Sequence, residues 1–533
     1  MYIMNTVLVS EPRVDVSSDV EQNHVVYRGS RNVNYITYPA DSYSGINNPP
    51  INASFNIICP PNIILDRYLK IKYYVRVIST VTDAFNIGMH DAPRQAPCTS
   101  IIDNVNIVIN GAAISDNIGN RIHAMLQYAS QKELNESVSM SPMMCDSYQN
   151  YGDMQAYGSA RNPLSAYGEN ATYANRGGFP YVATNNTTNL SSVDYELVEP
   201  LFLSPFYSGV GGVQEGLANV NQLNINLRFK SNLQMFWSHA DDSIVNLGNL
   251  QVVFYRAPEL LMCQLTPDVS IPRIQMQILP YHKFNDYIKT IPDYAPYETR
   301  LVSTDTFRLA QIPRKLFFWV QHNENTMTCQ DSNSFLCVKN ISLQFENYQG
   351  LLSSCSQQDL YQICKSNGIT LDYPSFVNYR GGVLCLDLGK DIGLEEPYWA
   401  PGLKGQFNFR ADITFQNTSS KAFVQPNLYI STLSEGTCIL SPNTCAITLG
   451  NLTADVVADA KSGKANEMSH DALKVYEGSG FFSSLKNIVN KVATHPIAKS
   501  LVSKHAPELL NVMHGVGQLT GSSVVSGGRL RRR

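Results

Sequence analysis

Six short segments of this 533-residue chain alternate apolar and polar residues, and they fall into two series with the same internal order. The first series runs Leu69-Ile71-Tyr73-Val75-Val77, then Val105-Ile107-Ile109, then Leu223-Ile225-Leu227-Phe229. The second runs Leu316-Phe318-Val320, then Ile341-Leu343-Phe345, then Phe409-Ala411-Ile413-Phe415. Successive side chains of a strand point to opposite faces, so a period of two marks a strand with one face in a core. A repeated series restricts the fold further, because each copy must bury its own apolar faces and the chain is too long for one ordinary core.

In each copy the middle segment leads through a polar turn into a short helical pattern. The apolar positions there are Ile118, Ile122, Met125 and Leu126 in the first copy and Leu360, Ile363 and Cys364 in the second, where Ser356 and Asp359 are spaced as a helix cap. Val105 and Ile341 lie 236 positions apart but Phe229 and Phe415 only 186, so the first copy holds 50 extra residues between its helix and its late strand. Tyr148–Val193, rich in Tyr, Asn, Gly, Ser and Ala, falls in that interval and reads as a long surface insertion.

Only 16% of residues are charged, while β-favouring Val, Ile and Tyr recur between polar loops, which suits strands better than helical bundles. The expected class is mainly β: two tandem eight-stranded jelly rolls with short helices and a partly helical C-terminal tail. The expected domains are 1–268 (first roll, with the insertion at about 148–193), 269–447 (second roll), 448–479 (linker) and 480–533 (basic amphipathic tail).

Enzyme and metal motifs are missing from the sequence: it contains no H-E-x-x-H, G-x-x-x-x-G-K-[ST], G-x-S-x-G or C-x-x-C. Glu395 and Glu396 beside Tyr398 and Trp399 suggest a glycosidase, yet adjacent carboxylates on extended chain face opposite ways and could not flank one bond. Asp241 and Asp242 near His239 form too small a set for a hard cation. No catalytic residue, metal ligand or cofactor is therefore expected. The eleven cysteines read as free thiols of a reducing compartment, with Cys438 and Cys445 able to bridge a hairpin. Met1 to Ser10 lacks the order of a signal peptide, so synthesis in the cytosol is expected.

Against this duplicated background, several segments resemble the double jelly-roll capsid family, which includes adenovirus hexon and the polinton-type and virophage capsids. They are Pro60-Pro61-Asn62 to Asp66-Arg67-Tyr68-Leu69-Lys70, Asp103 to Gly111, Glu199-Pro200-Leu201-Phe202-Leu203-Ser204-Pro205 leading to Gly216-Leu217-Ala218-Asn219, and Phe307 to Gly350. The resemblance spans residues of about 25 to 447. It implies a major capsid protein of an icosahedral DNA virus, located in the virion. It also implies homotrimers of pseudo-hexagonal outline, a capsid lattice, contacts with other capsid proteins at vertices, and an outward tower formed by the insertion. A minor capsid or vertex protein of the same viruses and a carbohydrate-binding β-sandwich protein are the alternatives.

The tail has a separate character. Residues 478–533 carry eight Lys or Arg against Glu508 alone, a charge of +7 within a chain whose net charge is −4. Phe481, Phe482, Leu485, Ile488, Val489 and Val492 share one helical face beside Lys486 and Lys491, the pattern of a basic amphipathic helix that binds anionic membranes. Arg529, Arg531, Arg532 and Arg533 suit contact with packaged nucleic acid. Tyr476-Glu477-Gly478-Ser479-Gly480 and Val525-Ser526-Gly527-Gly528-Arg529 are similar to sites cut by adenovirus-type maturation proteases, which implies cleavage at Ser479/Gly480 and Gly528/Arg529. The segment from Gly480 also looks like the start of the membrane-lytic internal protein of adenoviruses. These features imply a host membrane, the packaged genome and a viral maturation protease as partners of the tail.

Overall fold

A computed structural model describes most of residues 7–457, apart from 15–20, 29–31, 45–51, 67–68, 80–90, most of 130–180, 188–189, 207–215, 231–234, 239–249, 268–276 and a few scattered positions. In the first half, the eight principal strands are β1 (Asn32–Pro39), β2 (Asn52–Ile58), β3 (Lys70–Ser79), β4 (Ile102–Ile109), β5 (Ala112–Asp116), β6 (Leu190–Pro200), β7 (Gln222–Phe229) and β8 (Leu250–Thr266). They form two antiparallel sheets in the orders β5-β4-β7-β2 and β6-β3-β8-β1.

The second half repeats this arrangement. Its strands are β9 (Gln277–Thr290), β10 (Thr299–Ser303), β11 (Phe307–Gln311), β12 (Lys315–Gln321), β13 (Cys337–Phe345), β14 (Tyr348–Leu351), β15 (Leu384–Asp387), β16 (Lys404–Gln416) and β17 (Asn427–Leu440). The sheets run β14-β13-β16 with β10 and β11 both on β16, and β15-β12-β17-β9. The counterpart of β2 is broken into β10 and β11; otherwise the two halves match strand for strand. A further strand, β18 (Cys445–Leu449), pairs with the end of β17.

The alternating residues line the cores as their period requires. Leu69, Ile71, Tyr73, Val75 and Val77 are at most 2% exposed, and Tyr73 meets Phe229 of the facing sheet edge-on, with ring centroids 6.1 Å apart, across the first core. Burying each such side chain contributes about 1.5–3 kcal/mol. In the second core Phe318 and Phe409 stack at 6.1 Å, between the two facing sheets. The β4–β5 connection is a two-residue turn at Asn110-Gly111, with φ of 45° and 87°. Those left-handed values suit a tight hairpin and favour Asn and Gly there.

Three helical segments matter below: α1 (Pro97–Ser100), α2 (Ile122–Leu126), preceded by a 3₁₀ turn at Ile118–Asn120, and α3 (Gln357–Ser366). The expected cap of α3 is present: Asp359 N donates to Ser356 Oγ at 3.3 Å and Ser356 N donates to Asp359 Oδ2 at 2.9 Å. The end of the Tyr148–Val193 stretch differs from its reading as a loop. Tyr181–Thr187 is a strand paired with β6, and Leu190–Val193 already belongs to β6. The reason lies outside the stretch: β3 extends to Ser79 and pairs with β6 from Ser191 onward. Asn- and Thr-rich chain can join a ladder through its backbone whatever its side-chain pattern.

Candidate functional site: the seam between the two rolls

The strand β12 shows where the rolls meet. Leu316, Phe318 and Val320 face their own core, as the alternation requires, yet Phe317 and Trp319 on the opposite face are also buried, at 4% and 0% exposure. What covers them is the first roll. Ala124 of α2, with Met125 and Tyr128 behind it, packs into a cluster of Phe317, Trp319, Phe335, Val383, Cys385, Tyr429 and Leu433. Trp319 stacks on Tyr429 with centroids 5.2 Å apart and planes 2° apart, and Tyr128 meets Phe317 edge-on at 5.5 Å. Aromatic pairs of this kind contribute about 0.5–1.5 kcal/mol beyond their buried area.

Polar groups fix the register of this contact. Gln127, 1% exposed, donates its amide to Gly381 O (3.2 Å) and accepts from Val383 N (3.0 Å), while its own carbonyl accepts from Thr370 N (2.9 Å). Tyr128 OH donates to Val383 O at 2.7 Å. Gly381 has φ of 68°, and a Cβ there would collide with the Phe335 carbonyl, so only glycine fits this turn.

At the start of α2, Arg121 bridges the rolls. Its guanidinium pairs with Asp116 of the first roll and, at 2.9 Å, with Asp286 of β9, and lies 4.4 Å from the Phe284 ring centroid. Burial by itself lowers the guanidinium pKa, but the two carboxylates outweigh it and the pKa is raised. Asp286 also accepts from Ser431 Oγ at 2.6 Å. Nearby, Lys230 of the first roll reaches both Asn120 (3.1 Å) and Glu324 of the second.

A second contact zone lies along β9, β17 and β18. Leu279, Tyr281, Cys438 and Leu440 belong to the first roll's hydrophobic cluster, with Ile447 and Leu449 packed against it. Gln277 accepts from Ala218 N (2.8 Å) and donates to Gly216 O (2.7 Å), and His282 N donates to Ser204 Oγ (3.1 Å). In this zone the Cys438 and Cys445 sulfurs lie 3.7 Å apart, within hydrogen-bonding distance and not joined as a disulfide.

Behind α2 the first roll supplies a rigid base. Glu199, 1% exposed, accepts from Cys98 N (2.9 Å), Thr99 N (2.6 Å) and Thr99 Oγ1 (2.6 Å), which ties α1 to β6. Burial raises its pKa and the Thr99 hydrogen bonds counter that shift. His123 is buried with Nδ1 3.2 Å from Gln95 Oε1, and its pKa is lowered to about 3 by burial and by Arg94 and Lys230.

The carboxylates weighed above for sugar chemistry have structural neighbours: Glu396 accepts from Tyr348 OH at 3.5 Å, and Trp399 is buried against Phe345, Tyr348 and Phe407. His239, Asp241 and Asp242 lie outside the described residues, as do the membrane face (Phe481, Phe482, Leu485, Ile488, Val489 and Val492), the candidate cleavage residues Ser479, Gly480 and Gly528, and Arg529 and Arg531–Arg533. The seam residues themselves are not foreshadowed by alternation. The one available signal is the unbroken apolar run Leu316-Phe317-Phe318-Trp319-Val320, which marks a strand covered on both faces.

Two family models match the chain: the Sputnik virophage major capsid protein first domain over residues 4–264, and the major capsid protein V20 C-terminal domain over residues 284–436. The putative capsid protein V20 of Sputnik virophage is 29% identical over 530 residues, covering 92% of this chain and 87% of that protein. The cryo-EM structure of the Sputnik virophage superposes with a TM-score of 0.72 at 27% identity, over 86% of this chain and 96% of that one. The crystal structure of the mavirus major capsid protein, at 15% identity and a TM-score of 0.65 over 79% of this chain and 91% of that one, shares the fold. The two matched regions together span most of the chain and coincide with the two strand-for-strand halves, so the chain belongs to the double jelly-roll major capsid proteins of the virophage kind and builds the shell of a virion.

Proposed function

We propose that this capsid protein acts as a homotrimer in which six similar rolls occupy one lattice position, and that its role is purely architectural, without catalysis. The seam carries this reading. One roll docks on another of the same topology through a single sheet face, and a contact between equivalent units can be repeated between chains until a ring closes. Within that arrangement residues 1–268 and 269–447 are the two rolls, 448–479 a linker and 480–533 a tail, and the long insertion stands as a tower at the outer face. Vertices of the shell bring contacts with other capsid proteins.

The tail lies on the inner side of the shell in this proposal. A viral maturation protease cuts at Ser479/Gly480 and Gly528/Arg529, the face from Phe481 to Val492 disrupts a host membrane during entry, and Arg529 and Arg531–Arg533 hold packaged nucleic acid beforehand. The basic charge and helical spacing of the segment support it. Light scattering on the eluting full-length protein tests the trimer: the expected mass is about three times 59.3 kDa, and a monomer at every concentration up to that of shell assembly overturns it. For the tail, a peptide of residues 480–514 is expected to release dye from anionic liposomes, and intact liposomes would refute the membrane role.

A further inference from the structure

Beside the seam, a cleft of about 860 Å³ runs between β4 and β5 of the first roll and β9, β11 and β17 of the second. Its basic lining residues are Lys283 on β9, Arg308 on β11 and Lys404 at the start of β16. None of the three makes a hydrogen bond or ion pair among the described residues. Elsewhere in the same roll Lys289, Arg300, Arg314 and Arg410 each hold a carboxylate. The two carboxylates that line the cleft, Asp116 and Asp286, are both engaged by Arg121. The cleft is therefore left with a surplus of positive charge.

Hydroxyl donors complete the lining. Ser434 is partnered with Lys283 across the β9–β17 ladder and is 3% exposed, and its hydroxyl has no hydrogen-bond partner among the described residues. A hydroxyl this buried is ordinarily satisfied within the protein, and this one is left for a group that enters the cleft. On the first roll's wall Ser115 Oγ accepts from Asn104 Nδ2 at 3.0 Å and keeps its own proton to donate, while Asn104 also donates to Asn117 Oδ1 at 2.9 Å. Three cations with two hydroxyl donors suit phosphate oxygens, because hydrogen bonds from Lys and Arg to phosphate are charge-assisted. The volume lies in the range of small-molecule sites and exceeds what one phosphate group fills.

We propose that this cleft binds an oligophosphate, the chemistry shared by inorganic polyphosphate and the triphosphate chain of a nucleotide. Lys283 and Ser434 take phosphate oxygens on one strand pair, and Arg308 and Lys404 take them on another. A single orthophosphate meets only part of that set. Residues of both rolls line the cleft, so the ligand touches both and strengthens their coupling. It binds the folded chain alone, and its binding free energy adds to the stability of the joined rolls.

Titration calorimetry of the full-length protein with inorganic triphosphate is the test, with the double variant Arg308→Gln, Lys404→Gln alongside. The expected result for wild type is saturable binding of one triphosphate per chain and a raised melting temperature. For the variant, affinity is expected to fall about tenfold or more through the lost charge-assisted contacts, with the melting temperature in the absence of triphosphate unchanged. Wild type that does not bind overturns the proposal. A variant that binds as tightly as wild type assigns the binding to the basic residues 478–533 and overturns it equally, and orthophosphate binding as tightly as triphosphate overturns the oligophosphate class. Adenosine triphosphate separates the two sources: tighter binding than inorganic triphosphate selects the nucleotide and weaker binding the inorganic chain, and either upholds the site. If the variant fails to fold, lysine acetylation of wild type decides. Triphosphate is expected to slow the modification of Lys283 and Lys404 but not of Lys365, exposed on α3, and unchanged rates at Lys283 and Lys404 refute the cleft.

Discussion

Arg121, which precedes α2, and His123, within it, stabilise the seam and the base behind it in opposite electrostatic states. Arg121 is charged and paired twice, so removing it leaves two buried carboxylates without compensation, a loss of about 3–5 kcal/mol. Arg121→Met is expected to lower the urea midpoint accordingly, and adding Asp116→Asn and Asp286→Asn is expected to recover most of the loss. His123 must stay neutral. Its ordinary pKa of 6.5 applies to the unfolded chain, whereas folded His123 titrates at about 3. Between those values the unfolded chain binds a proton that the folded one refuses, so stability falls as pH drops from 6.5 towards 3. The difference in urea midpoint between wild type and His123→Phe should therefore shift against wild type on going from pH 7 to pH 4. A pH-independent difference would show that His123 contributes packing alone.

At the scale of elements, the strands were legible because half-buried strands write their inner face in a period of two, and every apolar residue named in the six alternating segments is buried. The cap of α3 was equally legible, since Ser356 and Asp359 act through their own backbone neighbours. Ser356→Ala is expected to cost about 1 kcal/mol, read as a lower midpoint for melting of the second roll, with the fold retained. The breaks were not legible. Nothing local separates β10 from β11 or converts the α2 region into a 3₁₀ turn followed by one short helix. Those outcomes follow from what each segment packs against: β16 for β10 and β11, and both the nearby α1 and the second roll for the α2 region.

For the whole molecule, the seam makes two rolls one body. Trp319 stacks on Tyr429 and is shielded by a helix from the other roll, so Trp319→Ala removes contacts on both sides of the seam. A loss of about 3–5 kcal/mol is expected. Scanning calorimetry should resolve two transitions in the variant, because the coupling between rolls weakens more than either core; a single transition merely shifted downward would mean that the cores, and not the seam, set cooperativity.

The sequence by itself determined that there are two β units, which residues face each core, and that the late part of the chain differs in charge, because strand periodicity, duplication and net charge are local or additive properties of the residues. Only the tertiary structure decided which sheet faces are covered. Phe317 and Lys72 sit at matching outward positions of matching strands, yet one lies under a helix of the first roll and the other is half-exposed in an ion pair with Glu196. Burial on an outer face depends on which unit docks there, and that is fixed by the contact of α2, Gln127 and Arg121 with residues over 150 positions away.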